Sequence, residues 1–308
     1  MGNARVTYSV IIPTYNREPL LVEALRSVHG ARPDFCEVIV VNDGTAFEPS
    51  TRDLIETLGV VFVQTKGGLG AGAARNIGAE HARGQWLLFL DDDDLIAAGY
   101  WQAVTGYIDT HLQSTDLAYG FCRASIQSDR SVMQQIAAAP AAFHIQPQED
   151  NSLRPKIAGL GLVGFWVSKA LYHRVGGLNA ELRTNEDTDF CHKLLSAGAR
   201  CHNTKSHGAV IFQGDHGTAA ASSTTKRYGP GQRARYFKHI LDSQSKILAT
   251  DSNTQVWLWK RYLKMAARAG GLESYQTLRQ AARLTAGRKR LLAAYWAVWR
   301  VLAQFAQR

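Results

Sequence analysis

Four consecutive aspartates, Asp91 to Asp94, follow the continuous apolar run of residues 86–90. Four carboxylates beside a core are costly to desolvate unless a cation or water meets them. If the chain stays extended, side chains two apart point the same way, which makes Asp91 and Asp93 a convergent pair. Oxygen-only ligands of this kind suit Mg²⁺ or Mn²⁺, completed by phosphate oxygens and water; the plainer alternative is a solvated acidic turn that caps the next helix. Asp43 closes a second apolar run, residues 38–41, within Asn42-Asp-Gly-Thr45. It can accept a nucleobase N–H or a ribose hydroxyl, although Asn, Asp and Gly are also ordinary turn residues. The glycine-rich stretch 67–72 departs from the dinucleotide fingerprint, because Arg75 stands where a third small residue should pack helix on strand. It also lacks the GKS or GKT ending of a P-loop. It reads as a flexible loop that delivers Arg75 to an anionic ligand.

Such groups converge only if the chain brings their segments together. Short β-rich runs at 6–12, 37–41, 60–64 and 86–90 alternate with helical patterns at 19–29, 51–58 and 71–83. Strands separated by helices of that length predict βαβ units and a parallel sheet covered on both faces. Ligands of such sheets bind beyond the carboxyl ends of the strands, and all four chemistry-bearing segments follow those ends. Residues 114–127 and 157–167 read as further strands, and 186–197 as a helix that Asn185 or Thr184 can cap. After a small-residue stretch at 219–225 the pattern is nearly all helical, with Leu292, Tyr295, Trp296, Trp299 and Leu302 at helical spacing.

The chain has 308 residues, 45% hydrophobic and 20% charged, enough apolar residues for a full core. No run reaches the length of a membrane span, and residues 1–16 lack the layout of a signal peptide. Cys36, Cys122, Cys191 and Cys201 show no CxxC spacing, so a reduced, cytoplasmic protein is expected, at most peripheral at the inner face of the membrane. Net charge is +9, divided unevenly: residues 226–308 hold 17 Lys and Arg against 3 Asp and Glu, and residues 1–225 hold 18 against 23. Two regions are therefore expected, 1–225 as an α/β catalytic domain and 226–308 as a basic, aromatic-rich helical region.

Taken together, Val10-Ile-Ile-Pro-Thr-Tyr-Asn-Arg17, Val41-Asn-Asp-Gly44, Ala74-Arg-Asn-Ile-Gly78 and Phe89-Leu-Asp-Asp-Asp-Asp94 resemble the family 2 glycosyltransferases of the GT-A fold. Gly176-Gly-Leu-Asn179 and Asn185-Glu-Asp-Thr-Asp-Phe190 look like that family's glycine-pair turn and ED-containing helix start, with Asn179 in place of the common Asp. The resemblance spans roughly residues 6 to 225. It implies a Rossmann-like nucleotide-sugar-binding domain with a mostly parallel central sheet. It also implies metal-dependent, inverting transfer from a nucleotide-diphospho-sugar donor to a hydroxyl of a glycan or lipid-linked acceptor. By the same resemblance, Pro13, Thr14, Tyr15, Asn16 and Arg17 line the nucleotide pocket and Asp43 recognises base or ribose. Arg75 sits beside the nucleotide, Asp92 reaches the ribose, and Asp91 and Asp93 face the Mn²⁺ or Mg²⁺. His216 is the candidate for a further metal contact, with a satisfied structural histidine as the alternative. Asp187 matches the catalytic base, and Glu186 shapes the acceptor site. Trp166 can stack on an acceptor sugar or serve as a core aromatic. Asp94 has no assigned task.

The basic tail admits packing of its aromatic seams, attachment to anionic membrane through Trp, Tyr and Lys/Arg, or a homodimer interface. Nucleic acid is not expected, because no recognised motif accompanies the charge. Competing functions are a nicotinamide-dependent Rossmann oxidoreductase resting on residues 68–72 and a sugar-nucleotide pyrophosphorylase, whose N-terminal glycine-rich element is absent from residues 10–17. A basic scaffold without enzyme activity is a further alternative.

Overall fold

The computed structural model describes residues 8–30, 32–33, 35–97, 99–113, 115–127, 162, 164–212, 228–244, 248, 251–270, 273–281 and 284–305. Among these, β1 (Tyr8–Thr14), α1 (Glu18–His29), β2 (Cys36–Asn42), α2 (Pro49–Thr57), β3 (Val61–Gln64), α3 (Ala71–His81) and β4 (Trp86–Phe89) alternate as the hydrophobic pattern predicts. The strands β5 (Leu95–Ile96), β6 (Ala118–Gln127), β7 (Phe165–Ser168) and β8 (Arg200–Phe212) complete one eight-stranded sheet in the order β3-β2-β1-β4-β7-β6-β8-β5. Pairings of β1 with β2 and β4, of β2 with β3, and of β6 with β8 are parallel. β7 is antiparallel to both of its neighbours, as is β5 to β8. The sheet is thus mixed on one side of β4.

The parallel half is buried because its strands are apolar throughout: every residue of β1 and β4 is buried, and in β2 all but Glu37 are. Helix α3 approaches β1 so closely that a Cβ on Gly78 would stand 2.4 Å from Ile11 Cγ2, so glycine here is a packing requirement. Helix α4 (Tyr100–His111) buries Trp101, Val104 and Ile108 in the same core as Val10, Ile12 and Leu88.

The chain divides into two compact units. The first holds the whole sheet with α1 to α4 and α5 (Lys169–Arg174). The second holds α6 (Glu186–Ser196) together with α7 (Pro230–Ser243), α8 (Ser252–Arg268), α9 (Glu273–Gln280) and α10 (Ala286–Phe305). A single break after residue 225 is therefore too simple. Helix α6 groups with the C-terminal helices, where Gln244 Nε2 donates to Asp189 at 3.3 Å and Ser196 Oγ to Gln244 at 3.2 Å. The four cysteines are buried. Among the described residues no helix is long and apolar enough to cross a membrane.

Candidate active site

The register of β1, β2 and β3 brings their carboxyl ends level, with Thr14 opposite Asn42 and Asn42 opposite Gln64. β4 ends opposite Ile11, three residues short of the end of β1, and the aspartates follow from there. Beyond β2, Asp43 is 2% exposed. Its Oδ1 accepts from Thr65 Oγ1 at 2.6 Å and its Oδ2 from the Gly70 backbone N–H at 2.7 Å. Its carbonyl takes the Gly68 N–H at 3.0 Å. One carboxylate therefore shapes the glycine-rich loop, and Arg183 Nη1 fastens the same loop by donating to the Gly68 carbonyl at 2.9 Å and to that of Leu69. Expected to be flexible, the loop is pinned from two sides. Arg183 carried no signal in the sequence, because its partners lie more than a hundred residues earlier.

The aspartate run is a turn rather than an extended segment: Asp94 N–H donates to the Asp91 carbonyl at 3.1 Å. Alternation of side chains therefore does not decide which carboxylates meet. Asp91, Asp93 and Asp94 each bring one oxygen to within 4.8 Å of the others, so Asp94, which had no expected task, joins the pair. Asp94 is buried and accepts the Phe212 N–H from the end of β8 at 3.1 Å. Burial, with Asp93 and Asp91 beside it, pushes its pKa well above the usual carboxylate range. Asp92 is fully buried and turned the other way, into Arg17. Burial pushes Asp92 up to about 7; Arg17 opposes this and Asp93 adds to it.

Two arginines hold this turn. Arg17 pairs with Asp92 and reaches Asp93 at 2.7 Å; burial opposes its charge, but Asp92, Asp93 and Asp91 outweigh burial and raise its pKa. Arg75, nearly buried on α3, pairs with Asp91 at 2.5 Å. Its neighbour Asn76 ties α3 to the glycine-pair turn, donating to the Leu178 carbonyl at 2.8 Å and accepting its N–H at 3.0 Å. The turn needs glycine there: Gly177 has φ of 60°, and a Cβ would stand 2.6 Å from Asn76 Oδ1. Between Thr14, which is buried, and Arg17, Tyr15 is exposed and Asn16 takes a left-handed φ of 54°. Asn16 Oδ1 accepts from the Thr45 N–H at 2.8 Å, joining the ends of β1 and β2. Pro13 is the last buried residue but one of β1.

Residues 9–176, more than half of the chain, match the family described as glycosyl transferase family 2. The chain belongs to that family. It is 29% identical over 194 residues to an uncharacterized glycosyltransferase of Haemophilus influenzae, which covers 61% of each chain. It is 35% identical over 114 residues to the poly(ribitol-phosphate) beta-N-acetylglucosaminyltransferase TarS of Staphylococcus aureus, covering 34% of this chain and 19% of TarS. The chain thus spans less than two thirds of either relative. The crystal structure of S. aureus TarS 1–349 in complex with UDP-GlcNAc is similar with a TM-score of 0.66, 19% identity and coverage of 97% of this chain and 89% of that one. The fold is GT-A.

For a family 2 glycosyltransferase the remaining expected positions separate clearly. Trp166 is 0% exposed, edge-on to Trp86 at 5.5 Å and 6.1 Å from Tyr107. With no free face it is a core aromatic rather than a platform for a sugar, because β7 inserts between β4 and β6. His216 lies outside the described residues. Glu186 is buried and Asp187 half-buried in the first turn of α6, in the second unit, with Thr188 N–H donating to Asp187 Oδ1 at 2.7 Å. Asn185, a suggested cap, instead has a left-handed φ of 66°. The donor set of Asp91, Asp93 and Asp94 is all carboxylate oxygen, which fits a hard divalent cation.

Proposed function

We propose that this chain moves a sugar from a nucleotide-diphospho-sugar to a hydroxyl of a glycan or lipid-linked glycan precursor, inverting the anomeric carbon with the help of Mg²⁺ or Mn²⁺. The observation that carries this reading is the gathering of Asp43, Arg17, Arg75 and the Asp91–Asp93–Asp94 cluster at one sheet edge. Uridine is the base favoured for the donor, because a similar fold has been solved with UDP-GlcNAc.

In this reading Asp91, Asp93 and Asp94 hold the cation, which when bound stabilises negative charge growing on the departing diphosphate. Arg75, locked against Asp91, lends positive charge beside the nucleotide. Arg17, paired with Asp92 and reaching Asp93, braces the turn that aims the other three carboxylates. The segment Pro13 to Asn16 and Asp43 border the base and ribose. Asp187 accepts the proton of the incoming hydroxyl, and Glu186 shapes the acceptor side. A single displacement needs no covalent nucleophile from the protein.

Thermal shift with UDP-, GDP-, dTDP- and CMP-sugars, each with Mn²⁺ or with a chelator, tests the reading. One nucleotide class should raise the melting temperature, and a chelator should abolish the rise. A rise indifferent to the chelator would refute the cation role; none with any nucleotide sugar would refute the donor assignment.

A further inference from the structure

On α10 the tryptophans and the exposed apolar residues lie on different faces. Trp296 is spent on an internal seam: its Nε1 donates to Ser274 Oγ at 2.8 Å and its ring stacks on Tyr275 at 5.2 Å. Of nine large hydrophobic side chains exposed among the described residues, five lie on α10: Leu291, Val298, Val301, Leu302 and Phe305, each 48–70% exposed. At helical periodicity these five share one arc of about 100°, with the buried Leu292 outside it, and run about 20 Å along the helix.

Cations border this stripe. On the helical wheel Arg288 and Arg290 flank its two sides at the N-terminal end. Along one side, Lys260 of α8 lies 5.7 Å from the Tyr295 ring and Lys264 lies 4.1 Å over Trp299. Beyond them Arg261, Arg268 and Arg233 crowd together: Lys264 has its proton affinity lowered first by burial and then by these three. Few acids oppose them. Asp242 is paired with Lys238 and Asp251 caps α8, which leaves Glu273 as the third of the three acids in residues 226–308.

We propose that the exposed stripe of α10, with its cationic borders, is a docking surface for an anionic lipid bilayer, in which the apolar side chains enter the acyl boundary and the lysines and arginines meet lipid phosphates. Charge chooses this occupant. A second copy would set 17 basic and 3 acidic residues against the same surplus, whereas a phosphate-bearing surface neutralises it.

The test is co-sedimentation of the full chain with vesicles of phosphatidylcholine alone or with phosphatidylglycerol added. Partition should be at least about tenfold stronger on the anionic vesicles and should fall in high salt. The exposed double variant Val298→Ser/Phe305→Ser should lose about tenfold of that partition while keeping its melting temperature. Arg288→Gln/Arg290→Gln should lose a similar factor. Nucleotide-sugar binding should be unchanged in both, which separates this proposal from the proposed function. Failure of the parent chain to bind anionic vesicles, or equal partition of the Val298→Ser/Phe305→Ser variant, would overturn it. So would a solution dimer that this variant dissociates, since that would give the stripe to a second copy.

Discussion

The rim of the sheet and the helical unit handle charge in opposite ways. At the rim, acids and bases are buried or half-buried together and paired: Arg17 with Asp92 and Asp93, Arg75 with Asp91, and Asp43 with loop donors. In α7 to α10, cations outnumber acids several-fold and settle over aromatic rings or in solvent. Buried pairs fix geometry at a high desolvation cost; exposed cations fix little but create a field that attracts anions. The first arrangement suits a site that must aim atoms, and the second a surface that must only adhere.

The largest effect that would sharpen this contrast is expected at Asp93. Asp93→Ala removes one of three clustered carboxylates and one partner of Arg17. Transfer should fall by about a thousandfold, the scale of several kcal/mol of lost charge stabilisation. Mn²⁺-dependent nucleotide affinity should weaken with it, and vesicle partition should not change. Full Mn²⁺-stimulated affinity in the variant would remove Asp93 from the cation site.

Asp187→Asn tests whether the contrast is complete, because Asp187 belongs to the helical unit. As a positioned base it should cost about a hundredfold or more in transfer while nucleotide affinity stays nearly intact. Such a split would show that the helical unit contributes one chemical group as well as an adhesive face. An equally large loss of donor binding would reassign Asp187 to the donor pocket.

The parallel half of the fold was legible because its signals are local. Unbroken apolar runs as short as residues 86–90 read as buried strands, and the helices between them favour parallel crossovers. Residues 157–167 read as a strand and overlap β7, but its antiparallel direction was not legible, nor were β5 and β8, since pairing between segments far apart in the chain depends on packing that no window reveals. The aspartates show the same limit within the site. Their run announced a cation-binding rim, but the choice among the four depended on a turn closed by one backbone hydrogen bond and on Arg17, seventy-five residues earlier. Trp166 was ambiguous for a related reason: an aromatic residue in a strand has the same local signature whether it faces the core or a ligand.

A smaller effect probes His192, a buried titratable side chain of α6 that the rim's pairing rule does not describe. His192 is 1% exposed, and burial pushes its pKa down to about 4 against the opposing pull of Asp189 and Asp251. The folded unit therefore keeps the ring neutral where the unfolded chain, with an ordinary pKa near 6.5, takes up a proton. The stability tied to His192 is complete above about pH 6.5 and is lost as pH falls from there to about 4, by up to about 3 kcal/mol. Scanning calorimetry or circular dichroism should show the melting temperature of the helical unit falling by about 12–24 °C over that window, beyond any fall caused by carboxylates. His192→Gln, which cannot titrate, should flatten that part of the slope. Identical slopes in parent and variant would mean that α6 accommodates a charged ring after all, and the helical unit would then stabilise buried charge as the rim does.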